Sequence, residues 1–269
     1  MLTRTANRRR AARTILALML ALAAGLALWW ALHARAPQSL PPAQRQPVAL
    51  LTSLPIYWPE SGNMGELLAG DAPLPWPRAV LERRYRLEPL DVLAASDGGE
   101  SRLGPFRYLI LAQPRALTPA ENVALDDWVR GGGRLLLFAD PLLVAESRYP
   151  LGDPRAPQGA VLLSPILARW GLELRFDEAQ PQGTRTQRLS LAPPVDTPVN
   201  MAGHFVLQPG FPNDTARCKL ADAGLLARCS VGQGAVLVLA DAQLLLPPEA
   251  GDGALREAAL AELAETAFR

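Results

Sequence analysis

Lysine is almost missing from this chain: Lys219 is the only one among 269 residues, and arginine supplies the rest of the basic charge. A phosphate loop needs a lysine inside G-x-x-x-x-G-K-[ST], and no such string exists here. Schiff-base chemistry is starved of candidates for the same reason. Histidine is nearly as scarce, with only His33 and His204, so acid-base catalysis near neutral pH has a thin inventory. G-x-S-x-G is missing. The dinucleotide pattern G-x-G-x-x-G is missing too, because "GQGAVL" and "GDGALR" each fail at the last glycine. No catalytic set, cofactor or metal follows from this inventory.

The cysteines are two, Cys218 and Cys229, flanking "KLADAGLLAR", in which "DAGL" reads as a tight turn between short strands. That placement favours a disulfide across a hairpin in an oxidising compartment, with two buried thiols as the other reading. Their spacing does not suit a zinc site, and neither lies on the strand-to-helix elbow that a glutaminase-type nucleophile occupies.

Charge is unevenly spread. Residues 1–35 hold six arginines and no acid, which leaves 21 basic and 26 acidic groups beyond them, a net of −5. An acidic domain argues against nucleic acid as a partner. The arginines at 4, 8, 9, 10 and 13 precede the uncharged run "TILALMLALAAGLALWWAL", residues 14–32, which is long enough to cross the roughly 30 Å of a bilayer interior. Trp29 and Trp30 stand where interfacial aromatics anchor a permanent helix. A cleaved signal peptide is the competing reading, with "ARA" at 34–36 as its cleavage site and Pro37 against it. The expectation is a cytoplasmic basic tail (1–13), a transmembrane signal anchor (14–32), a proline-rich linker (33–46) and a periplasmic domain (47–269) on the far side of a bacterial inner membrane.

With 49% hydrophobic residues the chain can build a sizeable core. A buried strand opens at "PVALLTSLP" and breaks at Pro55 into a proline- and glycine-rich loop over 55–77 that carries Tyr57, Trp58 and Trp76. A short helix over 77–85, a strand over 86–93 and a strand over 106–113 follow. Thr118, Pro119 and Glu121 then spell a capping box with proline at the first helical position. That helix stops at the glycines 131–133, whose freedom suits a left-handed helix terminus, and "RLLLFAD" continues as a strand covered on both faces. Ser164 with Pro165 caps another helix, which ends at Gly171. Residues 178–215 resist ordering. "GQGAVLVLAD" repeats the glycine-strand-aspartate design, and 254–268 closes the chain as an amphipathic helix with Leu255, Ala259, Leu263 and Ala267 on one stripe. Strands and helices in alternation point to a doubly wound, mostly parallel α/β sheet.

Asp140 and Asp241 each end a buried strand, where ligands collect in such sheets. Capping of the following loop is the other reading of both. "GGGRLLLFAD" fits the hydrophobic-run-plus-Asp pattern of a nucleotide hydrolase only generically, and the chain lacks the phosphate loop that must accompany it. The aromatics at 57–58 read equally as a binding surface and as a lid on the core.

"FRYLILAQPRALTPAENVALDDWVRGGGRLLLFADP", followed by "SPILARWGLELRFDE" and "GQGAVLVLADAQLL", resembles the auxiliary extracytoplasmic component of GldG-type ABC transport systems, over about residues 47–245. The resemblance implies a class I glutamine amidotransferase-like, flavodoxin-like layout without the amidotransferase nucleophile. It also implies a non-catalytic accessory role beside a membrane permease or envelope complex. The second expectation is a small-ligand or glycan binder, or a weak hydrolase, using the 55–77 loop with Asp140 and Asp241.

Overall fold

Four consecutive apolar residues, Val48 to Leu51, are buried together in β1 (Gln46–Thr52), which marks a strand enclosed on both faces. The computed structural model describes residues 39–60, 73–95, 100–150, 152–153, 155–208 and 216–269, and Met19 before them. The expected tail and anchor, 1–32, fall outside the described residues apart from Met19, as does the linker up to residue 38. Among the described residues no helix is long and apolar enough to cross a membrane. Leu40–Arg269 form one unit, which holds the strands of the described residues.

After β1 come α1 (Trp76–Leu81), β2 (Tyr85–Pro89), β3 (Tyr108–Ala112), α2 (Pro119–Arg130) and β4 (Arg134–Phe138). Next are α3 (Ser164–Arg169), β5 (Leu172–Arg175), β6 (Arg185–Leu189), β7 (Val195–Val199) and β8 (His204–Leu207). The chain ends with β9 (Arg217–Ala221), β10 (Leu226–Val231), β11 (Gly234–Leu239) and α4 (Gly253–Phe268). Seven strands form one sheet in the order β2-β1-β3-β4-β11-β10-β9. The first five are parallel, and β10 and β9 add an antiparallel edge. The segment over 178–215 that sequence patterns leave unordered supplies two small ribbons: β6 pairs β7, and β8 pairs the earlier β5.

The connection from β1 steps one way to β2, whereas the connection from β3 steps the other way to β4. Right-handed crossovers therefore set α1 and α2 on opposite faces. Helix α4 packs with α1 and against β4 and β11. The fold is thus a mostly parallel, doubly wound α/β sheet.

Several boundaries differ from the sequence expectation for local reasons. Strand β2 starts at Tyr85, because the preceding helix ends at Leu81. Ser164 is the first residue of α3 rather than its cap, a position that Leu163 holds without a side-chain capping bond. Of the three glycines after α2, Gly131 keeps helical dihedrals and Gly132 takes the left-handed turn at φ +112°. Gly133 is needed because a side chain there would run into the Trp128 ring. In α4 the inward stripe includes Arg256, fully buried, while Leu255 is only half-buried. Arg256 pairs with Asp252 and donates to the carbonyls of Gln243, Leu244 and Leu246, so a guanidinium fastens the helix start to the turn after β11.

Candidate functional site

Parallel order β2-β1-β3-β4-β11 has its topological switch between β1 and β3, where doubly wound sheets open a crevice at the carboxyl ends. The residues leaving those two strands are Ser53 and Gln113. Gln113 is fully buried and holds φ +45°, a left-handed conformation that costs a non-glycine residue about 1 kcal/mol or more. Such a turn is what a nucleophile elbow uses to expose its side chain. Here the side chain points inward and is consumed. Its Nε2 donates to the carbonyls of Asp140 and Gln158, at 3.0 and 2.9 Å, and its Oε1 accepts from the Asp140 amide at 2.9 Å.

Ser53 is equally committed. Its hydroxyl donates to the Gln113 carbonyl at 2.6 Å and accepts from the Gln158 amide at 2.9 Å, so its proton lies on a carbonyl rather than on a base. The backbone of Gln158, from the segment after β4, therefore sits over the ends of β1 and β3. The chain fills its own crevice. Among the described residues no group of three or more His, Cys, Asp and Glu side chains converges as a metal site.

The two strand-end aspartates stand one strand further along, two residues beyond the last residues of β4 and β11, and both are fully buried. Asp140 accepts from the amides of Leu142 and Ala242, and Asp241 from those of Gln243 and Asn200, so each carboxylate oxygen is spent on a backbone N–H. Each therefore fixes its own following turn and also reaches a second segment. Burial pushes Asp140 up to about 6 against the opposing pull of its two amides. Burial, then the negative charge of Asp140, pushes Asp241 well above the usual carboxylate range. The structure thus brings Asp140 and Asp241 together, but beneath the surface rather than on a crevice wall.

Tyr57 and Trp58 lie on the loop after β1. Tyr57 is half-buried under the Arg78 guanidinium, 3.9 Å from its ring centroid, and Arg78 also donates to the Tyr57 carbonyl. Trp58 stands edge-on to Tyr57 and is 64% exposed. The next residues of that loop, 61–72, lie outside the described residues. Glu60 ties it to the segment after β4 through Ser147 and the Arg148 amide. That second segment exposes Leu142, Val144 and Leu162. At the carboxyl end of the sheet the inward polar groups of Ser53, Gln113, Asp140 and Asp241 are therefore engaged, while Trp58, Leu142, Val144 and Leu162 are exposed outside.

Residues 48–197 match the family model described as ABC-type uncharacterized transport system. The chain belongs to this family. The match runs from β1 through β7, and so takes in the switch point, the Gln158 plug and Asp140. No curated protein matches the chain. Solved structures give distant likenesses. An exo-β-1,4-mannosidase from an Opitutaceae bacterium shares 12% identity over 83% of this chain and 36% of its own, at a TM-score of 0.45. A putative ThuA-like protein from Parabacteroides merdae shares 11% over 83% and 90%, at 0.41. A glutamine amidotransferase shares 14% over 81% and 98%, at 0.34. This chain spans about a third of the mannosidase's length.

Sequence patterns missed Ser53, Gln113 and Gln158. Gln113 is followed by proline after an apolar strand, which signals a turn but not its handedness. The Cys218–Cys229 pair forms a disulfide between directly opposed residues of β9 and β10.

Proposed function

We propose that this protein is a non-catalytic, membrane-anchored accessory module of an ABC transport system of the GldG type, with its α/β domain on the periplasmic side. In this reading the carboxyl end of the sheet is the face that docks a membrane permease. Membership in the transport-system family supports the transport role. The observation that carries the non-catalytic reading is the plugged switch point: Ser53, Gln113 and both aspartates have their polar atoms engaged by backbone groups. A ligand seeking those carboxyl groups must first displace four amide hydrogen bonds, each worth about 0.5–1.5 kcal/mol. The anchor rests on residues 14–32 and the arginines before them. Mild crosslinking of the full chain in its native membranes, followed by affinity purification, is expected to recover an ABC permease or its ATPase. Recovery of nothing above background overturns the proposal.

A further inference from the structure

The face of the sheet beside the end of α4 carries positive charge in two cross-strand rows. Register places Arg134, Ala235, Ser230 and Arg217 side by side across β4, β11, β10 and β9. The next row on the same face, two residues along, is Leu136, Leu237, Arg228 and Lys219. Small and apolar residues make the floor, four cations surround it, and Thr266 and Ala267 of α4 form one wall of a cleft of about 320 Å³.

This arrangement opposes local stability. Lys219 and Arg228 face each other directly, and like charges opposed across strands repel. The adjacent opposed pair is Cys218 and Cys229, whose disulfide holds the two strands together at that point. Among the described residues Arg134, Lys219 and Arg228 have no ion-pair partner; Arg228 donates to the Ser190 carbonyl, a neutral acceptor. Among the described residues Asp222 is engaged by the amide and hydroxyl of Ser190, and Glu262, one helical turn before Thr266, by Thr266 and Arg269. Charged residues on an edge strand are a common guard against sheet extension, and that accounts for Lys219 and Arg217 on β9. It does not account for Arg134 and Arg228, which lie on interior strands. Nor does the overall charge, since the region beyond residue 35 is net acidic.

We infer that this cleft binds a small soluble ligand bearing two phosphate-type anionic groups. Lys219 and Arg228 take one anion, and Arg134, at the far side of the floor, takes the other. The inference is independent of the docking role given to the carboxyl end of the sheet. Its recessed floor and its volume, at the low end of the range for small-ligand sites, favour a compact solute over a flat bilayer surface.

The test is calorimetric titration of the full chain in non-ionic detergent micelles with inorganic pyrophosphate at low ionic strength, alongside Lys219→Gln, Arg228→Gln and Arg134→Gln. Saturable binding is expected, weakened about tenfold by each substitution. Without ligand, Lys219→Gln and Arg228→Gln are expected to leave the melting temperature unchanged or raise it, because repulsion is relieved. Absence of saturable binding at millimolar pyrophosphate overturns the inference, as does binding that the three variants leave intact. Cation-dependent binding to phosphatidylglycerol vesicles without pyrophosphate binding also overturns it, in favour of a membrane contact.

Discussion

Gln113 spends backbone energy to place a side chain that links three segments: the end of β3, the Asp140 backbone and the Gln158 plug. Replacing it by alanine removes three hydrogen bonds and keeps the left-handed strain, an expected loss of about 3 kcal/mol in chemical denaturation. Glycine loses the same bonds but adopts φ +45° freely, so Gln113→Gly is expected to be about 1 kcal/mol more stable than Gln113→Ala. The opposite order, usual for a glycine in an extended segment, contradicts the strained-anchor account. The buried carboxylates set a pH dependence of definite sign. Asp140 rises from 3.8 to about 6 on folding and Asp241 also rises, so the native state holds more protons than the unfolded chain through that window. Their contribution to stability is full below about pH 4, and that of Asp140 is lost as pH rises from there through about 6. Glu121 has the reverse sign. Burial raises its pKa, but the Arg115 guanidinium and the amides of Thr118 and Leu93 outweigh it and hold the group at about 2, so its contribution is lost as pH falls below 4.5. Denaturation midpoints are expected to rise as pH drops from 7 toward 5, and Asp241→Asn to flatten that rise. A wild-type midpoint that falls steadily over the same interval contradicts the assignment.

At the scale of elements, α2 was legible because its signals are local. Thr118 accepts from the Glu121 amide, the Glu121 carboxylate accepts from the Thr118 amide, and proline begins the helix. Glu121 also reaches Arg115 and the Leu93 amide, which no spacing rule announces. The strand after the glycines was legible from its unbroken apolar run. Strand pairings over 178–215 were not, because β5 finds its partner β8 across an intervening hairpin, and proline-rich segments give weak alternation. Arg256 escapes a sequence reading for a related reason: a hydrophobicity pattern places arginine outside, whereas three carbonyls and Asp252 hold it inside. Glycines separate the same way. At Gly234 a methyl group meets the carbonyls of Val129 and Gly133, which are backbone atoms and cannot yield cheaply. Gly234→Ala is expected to cost about 3 kcal/mol. Gly132→Ala, in open space at φ +112°, is expected to cost about 1–2 kcal/mol, all of it backbone strain. Equal losses in thermal melts contradict this reading. Reducing the Cys218–Cys229 link, which closes a loop of sequence separation 11, is expected to lower stability by about 2–3 kcal/mol.

For the whole molecule, the sheet order makes the β1–β3 switch point the natural place for chemistry, and the chain instead fills it with Gln158. What remains at that end is an outer surface that exposes Trp58, Leu142, Val144 and Leu162 on two loops tied together by Glu60. The family places the chain in an ABC transport system, and this exposed apolar surface is the proposed point of contact. The most direct test is site-specific photocrosslinking of the full chain in native membranes, with the photoreactive residue at Trp58, Leu142 or Leu162, and at Val123 on the exposed face of α2 as the control. Crosslinks to an ABC permease are expected from the first three positions and none from Val123. Crosslinks from Val123 alone, or from no position, would contradict the docking role of this surface.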